Sequence, residues 1–382
     1  MKKYLVLTPF FPSDENHQGG YIYDQIVALK KNTDFDITVV KLNHSFAQNS
    51  KYIYKDIVCY NFSVYDFPSF ILPGLFNRLN FSRFLSFLNA NNLDIEQFEI
   101  VHAHVSHPSV FIGGLLQKKY NIKLITQHHG LDVYHSKLGC LRYLPLNLRI
   151  YYNFCYKAKI VKFLNTSFLN IGVSSKVIEA LKMSEKYTNK NNYVLYNGYE
   201  SSKFYDKKAS KGSDFVIGCI GNFWKSKDHI TLIKSVHSLV KDGITNIKVK
   251  MIGSGNYLNF CKNYVRNNKL DSYFDFASEM PHENLLDFYN SISLFVLPSY
   301  DEALGCVYIE SYACGAPFVA IENQGVEELL PDDIKNFYIA KKENTTSLAK
   351  KILGVYNNKS PLFNLNKDLN INSLIKDYVK KL

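Results

Sequence analysis

Short apolar runs of strand length recur along the whole chain, separated by stretches of helical periodicity, and this alternation leaves few folds open. In the first half the runs are Tyr4–Thr8, Ile37–Val40, Ile100–Ala103, Lys123–Thr126 and Ile171–Val173. The pattern restarts with Phe215–Ile220, Lys248–Ile252, Tyr273–Phe276, Ser293–Leu297, Pro317–Ile321 and Phe337–Ile339. Alternation of this kind predicts an α/β chain of doubly wound parallel sheets. Between the halves lies a polar stretch, Ser201-Ser-Lys-Phe-Tyr-Asp-Lys-Lys-Ala-Ser-Lys-Gly-Ser213, which marks a domain boundary. With 382 residues, each domain can bury a full core without disulfide or metal. The expected domains are residues 1–200 and 201–365, with a terminal amphipathic helix, 366–382, packing back on the first.

Glycine, proline, histidine and charged clusters fall just after the strands. They include Pro9–Gly20, His102–His107, Gln127–Asp132, Gly221–Lys227, Gly253–Asn256, Ser278–His282 and Ser299–Gly305. Ligands of doubly wound sheets bind outside the carboxyl ends of the strands. Clusters in both halves predict a cleft between two facing sheets.

The most informative cluster reads Glu302-Ala-Leu-Gly305-Cys-Val-Tyr-Ile-Glu310, followed by Ser-Tyr-Ala-Cys-Gly315-Ala-Pro317. It predicts strand, loop and helix, with the free N–H groups of the helix start, near Gly305, Cys306 and Val307, available to a phosphate. Glu302 then precedes the helix and Glu310 lies within it, roughly 12 Å away at about 1.5 Å rise per residue. That span suits a sugar nucleotide, because carboxylates accept hydrogen bonds from vicinal hydroxyls. Alone, the segment also fits a surface helix with two solvated glutamates.

Gly221-Asn222-Phe-Trp-Lys225-Ser-Lys227 follows the first strand of the second half, where its lysines can reach an anion, although lysines in a polar loop are often merely solvated. Gly19 and Gly20 open the first helix and permit close approach to a ligand, or serve only a turn. No Gly-x-Gly-x-x-Gly follows the first strand, so nicotinamide binding has little support. His102 and His104 share a strand face, but no Cys or carboxylate stands at ligand spacing, and no metal site is expected. His129, before Gly130 and near Asp132, can donate to a sugar hydroxyl or stabilise a polar transition state; a histidine satisfied within its loop is the competing reading.

Seven scattered cysteines without a Cys-x-x-Cys pair read as reduced cytosolic thiols. Pro9 and Pro12 cut short the apolar start, and no run approaches a transmembrane span. A cytoplasmic protein is expected. The net charge is +11, and between Lys118 and Lys190 thirteen Lys or Arg face three acids. With the aromatic segments in 67–88 and 137–163, this suggests peripheral contact with an anionic membrane at the inner face of the plasma membrane. The same aromatics also fit a core, and nucleic acid is the rival partner, not the expected one.

Together the segments from Pro9 to about Gly325 resemble glycosyltransferase family 4, retaining enzymes of GT-B fold, in which two Rossmann-like domains face across a cleft. Glu302 and Glu310 correspond to the family's Glu-x7-Glu signature. Lys227 is similar to its diphosphate-binding lysine, Gly19-Gly20 to its N-terminal glycine pair, and His129-Gly130-x-Asp132 to its active-site histidine segment. Leu195-Tyr-Asn197-Gly198-Tyr-Glu200 resembles the interdomain linker. Phe276–Glu283, with Met280, resembles the loop against the nucleobase. Asn222 stands where the family usually has arginine, and Glu200 replaces the linker aspartate. Losing a guanidinium removes a bidentate phosphate partner, so either Lys225 substitutes or donor binding is differently balanced.

The resemblance implies a metal-independent, retaining glycosyltransferase that moves a sugar from a nucleotide sugar, with a UDP-sugar favoured, to a glycan or lipid-linked acceptor of a cell-surface polysaccharide, capsule or lipopolysaccharide. It needs no cofactor. Glu302, His129 and Lys227 would act at the transferred sugar and the departing phosphate. Gly19, Gly20, Asn222, Lys225, Gly305, Cys306, Val307, Glu310, Met280 and Asp132 would hold the donor. The alternatives are a GT-B sugar-nucleotide epimerase and a non-catalytic basic GT-B binding protein.

Overall fold

A computed structural model describes residues 2–14, 16, 18–43, 49–66, 74–134, 147, 150–151, 157–208, 212–281 and 284–382. The segments expected to meet a membrane lie partly outside the described residues, as do His17, His282 and Glu283. The chain forms two compact units, Met1–Asn197 with Ile371–Leu382, and Gly198–Asn370.

The first unit is built on an eight-stranded sheet of order β3-β4-β2-β1-β5-β6-β7-β8. Its strands are β1 Lys3–Thr8, β2 Asp36–Asn43, β3 Ser50–Tyr54, β4 Ile57–Ser63, β5 Phe98–His104, β6 Lys123–His128, β7 Leu169–Gly172 and β8 Asn192–Val194. β1, β5, β6 and β7 are almost wholly buried, as central strands covered by helices on both faces must be. All neighbours pair in parallel except β3 and β4, an antiparallel hairpin turned at Lys55 and Asp56. The strand–helix alternation alone does not predict this edge. Its signal is the β-favouring run Tyr52-Ile-Tyr54 and Ile57-Val-Cys59 around a two-residue polar turn.

The terminal helix Ile371–Val379 belongs to this unit, where it packs on the helix Gly20–Asn32. Ile375 and Tyr378 are fully buried, and Tyr378 Oη lies 2.8 Å from Tyr4 Oη.

The second unit carries a six-stranded parallel sheet of order β11-β10-β9-β12-β13-β14. These are β9 Phe215–Ile220, β10 Ile247–Ile252, β11 Phe274–Ala277, β12 Leu294–Val296, β13 Phe318–Ile321 and β14 Ile339–Ala340. Phe337, expected in the last strand, instead sits in the helix Asp332–Tyr338. Asp332 and Asp333 in its first turn favour the helix by facing its positive end, and β14 begins only at Ile339.

Several histidines are core residues. His102, His104 and His229 are at most 1% exposed. Burial holds His102 and His229 at about 3, His129 at about 4, and His104 well below its ordinary value. Burial also pushes Asp228 up to about 6, which acts in the opposite sense. The four histidines are neutral when folded and take up protons near 6.5 when unfolded. Stability should therefore fall as pH drops from 6.5 toward 4, by up to about 1.4 kcal/mol per pH unit for each histidine, with Asp228 offsetting one share. Denaturant unfolding should give a lower midpoint at pH 5 than at pH 7; an equal or higher midpoint at pH 5 contradicts the neutral assignment.

Candidate active site

In the second unit, hydrogen bonding between β9 and β12 sets the loops after these strands side by side. Tyr300 N–H donates to Ser226 O at 3.2 Å, and the Ser299 hydroxyl reaches the same carbonyl at 3.3 Å. This contact brings Lys227 Nζ onto Glu302 Oε1, an ion pair that also forms a hydrogen bond. The two side chains are only 23% and 13% exposed, so the pair is partly screened from water. Glu302 is further fixed by its N–H, which donates to Gln324 Oε1 at 2.6 Å. The lysine and the first glutamate are thus one unit, a pairing not expected from a sequence separation of 75 residues.

Gly305 then caps the helix Cys306–Ala313 with φ +82°. A Cβ there would lie 2.7 Å from the Tyr308 ring and require a left-handed backbone, so glycine is the residue the turn admits. Cys306 and Val307 form the first turn, where the helix dipole and the N-terminal amides favour an anion. One turn on, Glu310 Oε2 accepts a hydrogen bond of 2.8 Å from Tyr289 Oη. Tyr289 comes from the helix Leu285–Ser291 and is fully buried among Phe204, Phe288 and Phe295. Burial and the adjacent carboxylate push its phenol well up, so it stays a donor. Tyr289 was missed by the sequence reading, because an aromatic at helical spacing carries no mark of the carboxylate it will meet.

Asn222 and Lys225 are exposed on the loop after β9, and Met280 is half-buried on the loop after β11. Neither Asn222 nor Lys225 joins the Lys227–Glu302 pair.

In the first unit, Asp132 has a different role from the one expected. Its Oδ2 lies 2.7 Å from His128 Nδ1, and it also accepts from the Ser106 N–H and hydroxyl at 3.0 and 3.2 Å. Oδ1 accepts the N–H groups of His129 and Gly130, each at 3.2 Å. Burial opposes its charge, but His128 and these donors hold the carboxyl down at about 2. Asp132 therefore fixes the His129 loop through its backbone and does not pair with the His129 ring. His128, with Nε2 3.1 Å from Thr126 Oγ1, is the satisfied core histidine of the two.

His129 instead places Nε2 3.1 Å from His104 Nδ1, with the Tyr21 ring 4.9 Å from its own. Gly19 begins the helix Gly20–Asn32 with φ +86°. A Cβ at Gly19 would fall 2.7 Å from Phe10 O, so the close approach there is to the chain's own backbone. Gly20 faces open space, and it alone of the pair leaves room for a ligand.

Residues 201–373 match the family model described as glycosyl transferases group 1. An uncharacterized glycosyltransferase of Methanocaldococcus jannaschii is 27% identical over 295 residues, covering 77% of this chain and 74% of that protein. The capsular polysaccharide biosynthesis glycosyltransferase CapM of Staphylococcus aureus is 27% identical over 53% of this chain and 55% of its own length. Among solved structures, sucrose-phosphate synthase from Thermosynechococcus elongatus superposes with a TM-score of 0.71 at 14% identity, over 100% of this chain and 95% of that one. Anabaena HepE in complex with UDP gives 0.68 at 15% identity over the same shares. These likenesses and the site in the second unit agree: residues 201–373 are similar to the glycosyl transferases group 1 family, on a chain whose two α/β units have the GT-B fold.

Proposed function

We propose that this chain is a retaining hexosyltransferase of the family 4 type, which moves a sugar from a UDP-sugar to a glycan or lipid-linked acceptor of a cell-surface polysaccharide. The observation that carries the reading is the Lys227–Glu302 pair beside the Gly305 helix start, with Glu310 held one turn further on. CapM, named for capsular polysaccharide, and HepE, solved with UDP, support the acceptor class and the donor base.

In this reading Glu310 accepts the ribose hydroxyls, with Tyr289 fixing the carboxylate. Lys227 and the amides of Cys306 and Val307 take the diphosphate, and Glu302 takes the hydroxyls of the sugar. As the glycosidic bond breaks, negative charge grows on the leaving β-phosphate. A fixed ammonium and helix N-terminus then stabilise the transition state more than the ground state. The acceptor oxygen attacks from the same face, and its proton passes to the departing phosphate. Lys225, Asn222 and Met280 line the donor, Gly20 leaves room for it, and His129 contacts the sugar. No metal or cofactor is required by this scheme. Peripheral contact with an anionic membrane belongs to the proposal, supported by the exposed Leu75 and Leu79 flanking Arg78.

A thermal-shift panel of UDP, GDP, ADP and CMP should single out UDP, since ligand at 100 times its Kd adds about 2.7 kcal/mol of stability. No shift with any of them contradicts the reading. Glu310→Ala should weaken UDP binding by about ten- to a hundred-fold, the value of one hydrogen bond to a charged acceptor. Tyr289→Phe should cost less, about three- to ten-fold, and reduce the preference for UDP over 2′-deoxy-UDP; normal UDP binding by Glu310→Ala would overturn the ribose assignment.

A further inference from the structure

Three histidines of the first unit, His102, His104 and His129, form a stack of which the proposed chemistry uses only His129. His102 and His104 alternate with Ala103 on β5, and their rings stack with centroids 4.3 Å apart. Tyr4 Oη, itself 2.8 Å from Tyr378 Oη, lies 2.7 Å from His102 Nδ1. The parallel register sets His104 beside Gln127 of β6, two residues before His129. The His104 and His129 rings lie 5.3 Å apart, tilted by only 12°, and meet through His104 Nδ1 and His129 Nε2 at 3.1 Å.

Burial keeps both imidazoles neutral near pH 7. A hydrogen bond between two neutral imidazole nitrogens holds one proton, because one nitrogen must donate and the other accept. If His129 Nε2 carries that proton, its Nδ1 is a bare acceptor; if His104 Nδ1 carries it, His129 Nδ1 is an N–H donor. His129 Nδ1 is shielded from solvent and has no hydrogen-bond partner among the described residues. Nothing on that side of the ring among the described residues fixes its role, which is set from the His104 side.

We infer that His104 is a positioning residue: through its Nδ1 it fixes the tautomer of His129, and so decides whether His129 meets the transferred sugar as a hydrogen-bond donor or as an acceptor. The inference rests on the proposed role of His129 at the sugar. His102 holds the plane of the His104 ring by stacking beneath it, and the Tyr378–Tyr4 pair anchors His102.

Long-range proton–nitrogen correlation spectra of the full chain, labelled at histidine, test this directly. The His129 signals are assigned by their disappearance in His129→Gln. In the wild type at pH 7.5, His129 should show one protonated and one bare ring nitrogen. In His104→Leu the two should shift toward an averaged position. In His104→Asn, whose amide returns a polar atom near the place of Nδ1, they should separate again. In sugar-transfer assays with the UDP-sugar that binds, His104→Leu should lower kcat by about ten- to a hundred-fold with donor KM within about two-fold, and His104→Asn should recover much of the loss. Averaged tautomers in the wild type, or a Leu variant with unchanged His129 nitrogens, would overturn the inference. If His104→Leu does not fold, the wild type and His104→Asn decide: the inference fails if His129 is averaged in the former or loses its two-site pattern in the latter. If no protein transfers sugar, wild type included, the functional reading fails, while the spectra still decide the role of His104.

Discussion

The hydrogen-bonded ladder between β9 and β12 is the constraint on which the site depends. Leu294 pairs with Ile217 and Phe295 with Gly218, and Ser293 N–H donates to Val216 O at 2.7 Å. Ile292 and Phe288 pack where a side chain at Gly218 would stand, which closes the helix Leu285–Ser291 onto the sheet. From that register the loops after both strands leave in parallel, so Lys227 meets Glu302, and the helix holding Tyr289 faces the one holding Glu310. A slip of one residue would turn each side chain to the opposite face and separate both pairs.

The two units manage charge in opposite ways. The second keeps an ammonium and a carboxylate in contact, an arrangement ready to exchange one partner for an incoming anion. The first suppresses charge around its histidine stack: three histidines are held neutral by burial, and the buried carboxylate of Asp132 is occupied by His128 and backbone donors, as that of Asp66 is by His107. A neutral imidazole offers direction without charge. That suits contact with sugar hydroxyls, whereas a diphosphate calls for the fixed cation found in the other unit.

Much of this was legible in the sequence because strand ends announce themselves. Apolar runs bounded by glycine and charged residues marked most of the strands, and the spacing of Glu302, Gly305 and Glu310 placed an acid, a helix start and a second acid in sequence. What periodicity could not supply was the identity of partners. Asp132 lies near both His128 and His129 in the chain, and only the fold shows its carboxylate on the ring of the former and on the backbone of the latter. Tyr289 and Glu310 are 21 residues apart, on different helices. The β3–β4 hairpin escaped because an edge strand breaks the strand–helix alternation used to read the rest, and Phe337 because acidic residues at a helix start outweighed its β-favouring side chain.

The central claim is that Lys227, released from Glu302, takes the diphosphate of the donor. Calorimetric titration of UDP and UMP against the wild type and Lys227→Ala tests it most directly. The account predicts that UDP binds the wild type at least about ten-fold more tightly than UMP, the worth of one charge-assisted hydrogen bond, and that Lys227→Ala abolishes most of that difference. A variant that keeps the full preference for UDP would contradict it.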